Sequence, residues 1–122
     1  VVNGKAGDSA MDELSTLGEN TVAEFYQDRG FSVSRDEPGL FPLQPATLDD
    51  LKGGDAGENA ATIRAILAGE DRGPRRDAVL LNAAHALFVA ARTKSAIEGW
   101  DLAASVIDDG LAKGKLAELT GD

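Results

Sequence analysis

The sequence predicts an α/β chain in which a short antiparallel sheet comes first and helices follow. Three observations predict it. Val1-Val2 runs into Asn3-Gly4 as the end of a buried strand runs into a turn. Residues 21–26 (TVAEFY) and 31–34 (FSVS) carry β-branched and aromatic residues or alternate apolar with polar, and Gln27-Asp28-Arg29-Gly30 between them is turn chemistry. From Thr47 onward, helix caps, apolar residues at helical spacing and glycine stops succeed one another.

The first strand is expected to be a stub. Lys5 to Asn20, rich in glycine and alanine, reads as a mobile loop that carries the adjacent acids Asp12 and Glu13. Residues 21–34 then form the hairpin. Pro38-Gly39-Leu40-Phe41-Pro42 breaks regular structure. Thr47 with Asp50, and Asp55 with Glu58, have the spacing of capping boxes, stopped by Gly53 and Gly69. In the second of these helices Ile63, Ile66 and Leu67 share a face. The longest helix is expected over Asp77 to Thr93, with Leu80, Ala84, Leu87 and Ala91 along one face and Leu81 and Phe88 widening it. Ser95 and Glu98 start a helix that runs to Gly110, and a last short one covers Leu111 to Leu119. The total is a strand stub, an antiparallel hairpin and four to five helices. Three short strands make a poor independent sheet. The chain also opens on Val1 without methionine, so a sheet continued by upstream sequence is the expectation.

Composition narrows the function. At 122 residues the chain suits one domain, and 43% hydrophobic residues suffice for a core. There is no cysteine, which removes disulfides and thiolate metal sites and is compatible with a cytoplasmic location. A formal net charge of −9 repels phosphate backbones, so no nucleic-acid partner is expected. No apolar run is long enough to cross a bilayer, and no membrane partner is expected.

Few residues offer chemistry. Magnesium takes oxygen ligands and is often held by one or two carboxylates plus substrate phosphates. Asp12 and Glu13 suit that role, and they suit equally the commoner one of solvated surface charge. His85, the sole histidine, reads as a helix-face or interface residue, and Trp100 as a core or interface anchor. Gly4-Lys5-Ala6-Gly7-Asp8-Ser9 lacks the spacing of a phosphate-cradling loop. Arg72-Gly73-Pro74-Arg75-Arg76-Asp77 is the one basic cluster; it is either an anion contact or, the favoured reading, a solvated helix junction.

The order of motifs is more specific than any one of them. Val1-Val2-Asn3-Gly4, Met11-Asp12-Glu13-Leu14-Ser15, the hairpin, Pro38-Gly39-Leu40, Gly53-Gly54-Asp55-Ala56-Gly57-Glu58-Asn59-Ala60 and Asp77-Ala78-Val79-Leu80-Leu81-Asn82-Ala83-Ala84 follow one another. This series resembles the C-terminal part of the anthranilate phosphoribosyltransferase family, over essentially the whole chain. The resemblance implies a fold like that of the pyrimidine nucleoside phosphorylases, with a small helical domain and a larger α/β domain built on a mostly parallel sheet flanked by helices. Residues 1–122 would be the C-terminal part of that larger domain. It implies transfer of the phosphoribosyl group of phosphoribosyl pyrophosphate to the amine of anthranilate, with magnesium as cofactor. The family's adjacent Asp-Glu pair, which holds the metal, falls on Asp12 and Glu13. No catalytic residue is implied within this chain.

The family's "GTGGD" and "KHGN" stretches and its small helical domain have no counterpart in the sequence. Asn3 stands where many relatives have histidine, and the approach to the acid pair is a few residues longer than usual. The chain is therefore expected to be inactive alone, and to associate with itself or with the missing N-terminal part. Two other readings remain: a non-catalytic binding or structural module of the same fold, and a relative of the nucleoside phosphorylases.

Overall fold

The computed structural model describes residues 1–121. Four strands, β1 (Val2–Ala6), β2 (Ser9–Met11), β3 (Asn20–Tyr26) and β4 (Gly30–Asp36), form one antiparallel sheet in the order β2-β1-β3-β4. A 3₁₀ turn at Pro38–Leu40 leads to α1 (Leu48–Leu51), α2 (Ala56–Leu67), α3 (Pro74–Val89), α4 (Ala96–Asp108) and α5 (Leu111–Thr120). The expected α/β order of sheet first and helices after is what is found, with five α-helices among the described residues.

Two expectations about the start of the chain are corrected. The first strand does not turn at Asn3-Gly4 as expected, because β1 continues to Ala6 and is paired on both sides, Gly4 facing Met11 of β2 and Asn20 of β3. The segment expected as a mobile loop contains β2. The reason is a tight turn: Gly7 takes φ 61°, a conformation open to glycine, and brings Ser9 opposite Ala6. The hairpin of β3 and β4 lies where its pattern placed it, with Phe25 opposite Phe31 and Tyr26 opposite Gly30.

Helix starts follow their caps. Asp55 accepts a hydrogen bond from Glu58 N at 2.9 Å while Glu58 Oε2 accepts one from Asp55 N at 2.9 Å, the reciprocal pattern that satisfies two otherwise orphaned donors. Ser95 Oγ accepts from Glu98 N at 3.2 Å. The long helix differs from expectation at both ends. It begins at Pro74, whose fixed φ suits the first turn, and not at Asp77. It ends at Val89, not Thr93. Ala91 adopts φ 53°, and the N–H groups of Ala91 and Arg92 bond back to Phe88 O and Leu87 O, both at 2.9 Å. That is a Schellman stop built on alanine instead of glycine, so no glycine marked it in the sequence. Ala91 consequently leaves the apolar face assigned to it and is exposed.

The core forms where the helices meet one sheet face. Leu14, Ile66, Leu80, Leu81, Ala84, Trp100, Ala103 and Ile107 are buried, and Val2, Val22, Phe41 and Leu43 pack against them. The antiparallel pair α3 and α4 approach closely at Ala84 and Gly99, where a Cβ on Gly99 would lie 2.4 Å from Ala84 O. Small residues at that crossing let the two backbones come within contact. Phe41, just after the 3₁₀ turn, packs against both α3 and α4, its ring centroid 5.6 Å from those of both His85 and Trp100.

Candidate metal centre

Asp12 and Glu13 follow β2 directly and are exposed. Neither side chain has a hydrogen bond or ion pair with the described residues, in a chain where Glu19, Asp49 and Asp108 are all paired. Glu13 lies on the rim of an open groove of about 1140 Å³, shared with Lys52, Glu58 and Asn82 and floored by Leu51 and Ile66. Ile63 lines this groove together with Ile66, as their shared face implies, and is half exposed.

The acids are loose as side chains, but their backbone is fixed. Gly4 lies beneath it: a Cβ there would come within 2.5 Å of Ser15 N and 2.7 Å of Glu13 O. Asn20 is buried and bonds both ways to Ser15, accepting from Ser15 N at 2.7 Å and donating to Ser15 O at 3.0 Å. Asn3 Nδ2 donates to Met11 O at 3.0 Å, on the other side of the pair. Asn82, on α3, accepts from Leu14 N at 2.9 Å and donates to Leu14 O at 3.0 Å.

The groove's far wall is braced similarly. Asn59 Oδ1 accepts from Gly54 N at 2.8 Å and Asn59 Nδ2 donates to Gly54 O at 3.1 Å. Side chains at Gly53 or Gly54 would collide with Asn59 and Glu58. Arg75 donates to Asp50 O at 3.0 Å and to Lys52 O at 2.9 Å, which ties α3 to the end of α1.

The basic cluster is not the solvated junction of the favoured reading. Arg76 and Asp77 are buried. Arg76 Nη1 and Arg72 Nη2 both donate to Asp108 Oδ1 at 2.9 Å, and Asp77 Oδ2 accepts from Gln44 N at 2.8 Å. The start of α3 lies beside the end of α4, so charges distant in sequence neutralise one another. The bond from Arg76, then the positive charges of Arg76 and Arg72, hold the Asp108 carboxyl below the usual aspartate range against a smaller opposing effect of burial. His85 is half-buried, with Nδ1–H donating to Leu81 O at 2.9 Å because a carbonyl only accepts. Trp100 is buried in the core, as one of its two readings held.

The carboxylates fit a hard cation in one particular way. They are adjacent, unpaired and made of the oxygen donors that magnesium takes. Among the described residues no group of three or more His, Asp or Glu side chains comes together as a ligand set. Thr16 Oγ1, on the same groove, is buried without a hydrogen-bond partner. The arrangement therefore suits a cation that draws its remaining ligands from water and a bound phosphate, not one caged by protein.

A family model described as "Glycosyl transferase family, a/b domain" matches residues 1–113. The chain belongs to that family. It is 45% identical over 113 residues to the anthranilate phosphoribosyltransferase of Geobacter sp. (strain M21), covering 93% of this chain and 32% of the relative. It is 46% identical over 121 residues to that of Dehalococcoides mccartyi (strain CBDB1), covering 98% of this chain and 34% of the relative. The crystal structure of anthranilate phosphoribosyltransferase (TrpD) from Thermus thermophilus superposes with a TM-score of 0.73 at 39% identity, over 93% of this chain and 32% of that one. The chain thus spans about a third of the length of the relatives it matches. No helix among the described residues is long and apolar enough to cross a membrane.

Asn82, Asn20 and Gly4 were not singled out from the sequence as site residues. A weak signal existed for Asn82: asparagine is a poor helix former, and one set among Leu80, Leu81, Ala83 and Ala84 signals a partner for its amide.

Proposed function

We infer that residues 1–122 are the C-terminal part of the α/β domain of an anthranilate phosphoribosyltransferase, and that Asp12 and Glu13 hold its magnesium. Phosphoribosyl pyrophosphate and anthranilate are the substrates in this reading. The small helical domain and the glycine-rich phosphate loop belong to the two thirds of the relatives that this chain does not match. The enzyme is cytoplasmic, and it binds neither nucleic acid nor membrane. What carries the reading is the unpaired Asp12-Glu13 pair on a braced loop beside a groove, in a chain of this family.

Magnesium, when bound, neutralises charge on the departing pyrophosphate as the ribose becomes oxocarbenium-like. The chain's own residues supply position. Asp12 and Glu13 present carboxylate oxygens and abstract no proton. Gly4, Asn20 and Asn82 fix the backbone that carries them, so little ordering remains to be done when substrate arrives.

The test is a chimera in which this chain replaces the matching third of the Geobacter relative. Magnesium-dependent formation of phosphoribosyl anthranilate is expected. Asp12→Asn with Glu13→Gln is expected to lower kcat by about 10²-fold or more, the usual scale for removing one element of electrostatic stabilisation. A chimera whose rate and magnesium dependence survive both substitutions would overturn the assignment.

A further inference from the structure

We propose that Asn82 is the positioning residue of the acid pair: a helix-borne amide that sets where Asp12 and Glu13 stand relative to the groove. The proposal rests on the cation reading of that pair. Five observations carry it.

Asn82 reaches Leu14, the residue immediately after Glu13, across 68 positions of sequence. It takes both backbone groups of Leu14, accepting at 2.9 Å and donating at 3.0 Å, as a neighbouring strand does. Its Nδ2 also donates to Ala78 O at 3.0 Å, one turn back on α3, which fixes the rotamer. The other amide clamps on this loop, Asn20 on Ser15 and Asn3 on Met11, come from the sheet and span only 5 and 8 positions. They tie the loop to the strands, whereas Asn82 ties it to the helix that forms the groove wall. Leu14 is itself 2% exposed, so its N–H and C=O have little water to turn to if the amide is lost.

The chemistry is selective. Aspartate offers no donor to Leu14 O, leucine offers neither bond, and glutamine keeps both groups but displaces them by a methylene. Asn82 does not touch substrate. It acts through the acids.

The experiment uses the ¹⁵N-labelled chain and Mn²⁺ alone as the paramagnetic probe. In the wild type the amides of Asp12 and Glu13 should broaden first, and the double variant Asp12→Asn, Glu13→Gln should remove that preference. In Asn82→Ala the α3 and α4 resonances should hold their places. The Mn²⁺ needed to half-broaden Glu13 should rise about 10-fold, the lower end of the loss seen when a residue behind a metal ligand is removed. The heteronuclear NOEs of Asp12 to Leu14 should fall together with it, and Asn82→Gln should lie between. Leu87→Ala, a core-edge truncation, should lower the melting temperature and leave the Mn²⁺ midpoint alone, which separates positioning from stability. If Asn82→Ala does not fold, Asn82→Gln carries the same comparison. An unchanged midpoint with unchanged NOEs overturns the proposal. If the wild type shows no selective broadening, or the double acid variant broadens as the wild type does, the cation reading fails by itself. The NOEs then decide Asn82 alone, and their constancy in the variant overturns its role.

Discussion

Gly4 is where the sheet and the acid loop touch, and a single methyl group tests the contact. Gly4→Ala would press Cβ to 2.5 Å from Ser15 N and 2.7 Å from Glu13 O, both backbone atoms that cannot rotate away. Overpacking of this kind costs about 1–3 kcal/mol. Urea denaturation should show that loss, and the amide shifts of Glu13 and Ser15 should move more than those of α4. A variant as stable as the wild type, with those shifts in place, would mean that the loop is not seated on β1. At this scale the acids themselves were legible, because adjacency in sequence is adjacency in space. Their supports were not. Gly4 reads as a turn glycine although it lies inside a strand, and the bond from Asn82 crosses 68 positions that no periodicity links.

Elements were legible in proportion to how local their signals are. The capping boxes at Thr47 and Asp55 and the cap at Ser95 span three or four residues, so the starts of α1, α2 and α4 could be read directly. β2 hid because three residues carry too little alternation to register. The end of α3 hid because alanine occupies a left-handed position where glycine is usual. The basic cluster before and within α3 was misread because its partner, Asp108, belongs to α4. That clamp has an acid signature. The Asp108 carboxyl titrates below its ordinary value, owing first to the bond from Arg76 and then to the charges of Arg76 and Arg72. A depressed folded value means stability that is present above about pH 4, the ordinary aspartate range, and lost as pH falls through the folded value. Asp108→Asn should therefore melt below the wild type at pH 7, and the gap should narrow as pH falls below the ordinary aspartate range. A gap that stays constant over that whole descent would show that the charge on Asp108 contributes nothing to joining α3 and α4.

For the molecule as a whole, the order of sheet and helices was visible because each block announced itself in turn. The family was visible because several motifs kept their sequence order. What was not visible is the outer sheet face. Phe25, Phe31 and Val33 are 77%, 68% and 56% exposed, beside the unpaired edge of β4. An apolar strand edge of this kind tends to find another chain. Light scattering should report a mass that rises with protein concentration, and Phe31→Lys should reduce the rise. A compact monomer at high concentration would count against association through that edge. Phe41, set between His85 of α3 and Trp100 of α4, has another consequence at this scale. The chain's single tryptophan lies at an aromatic junction where the segment after the 3₁₀ turn meets the helices. Its intrinsic emission is therefore a built-in optical gauge of whether the segment carrying Phe41 still rests on the paired helices, readable without any label.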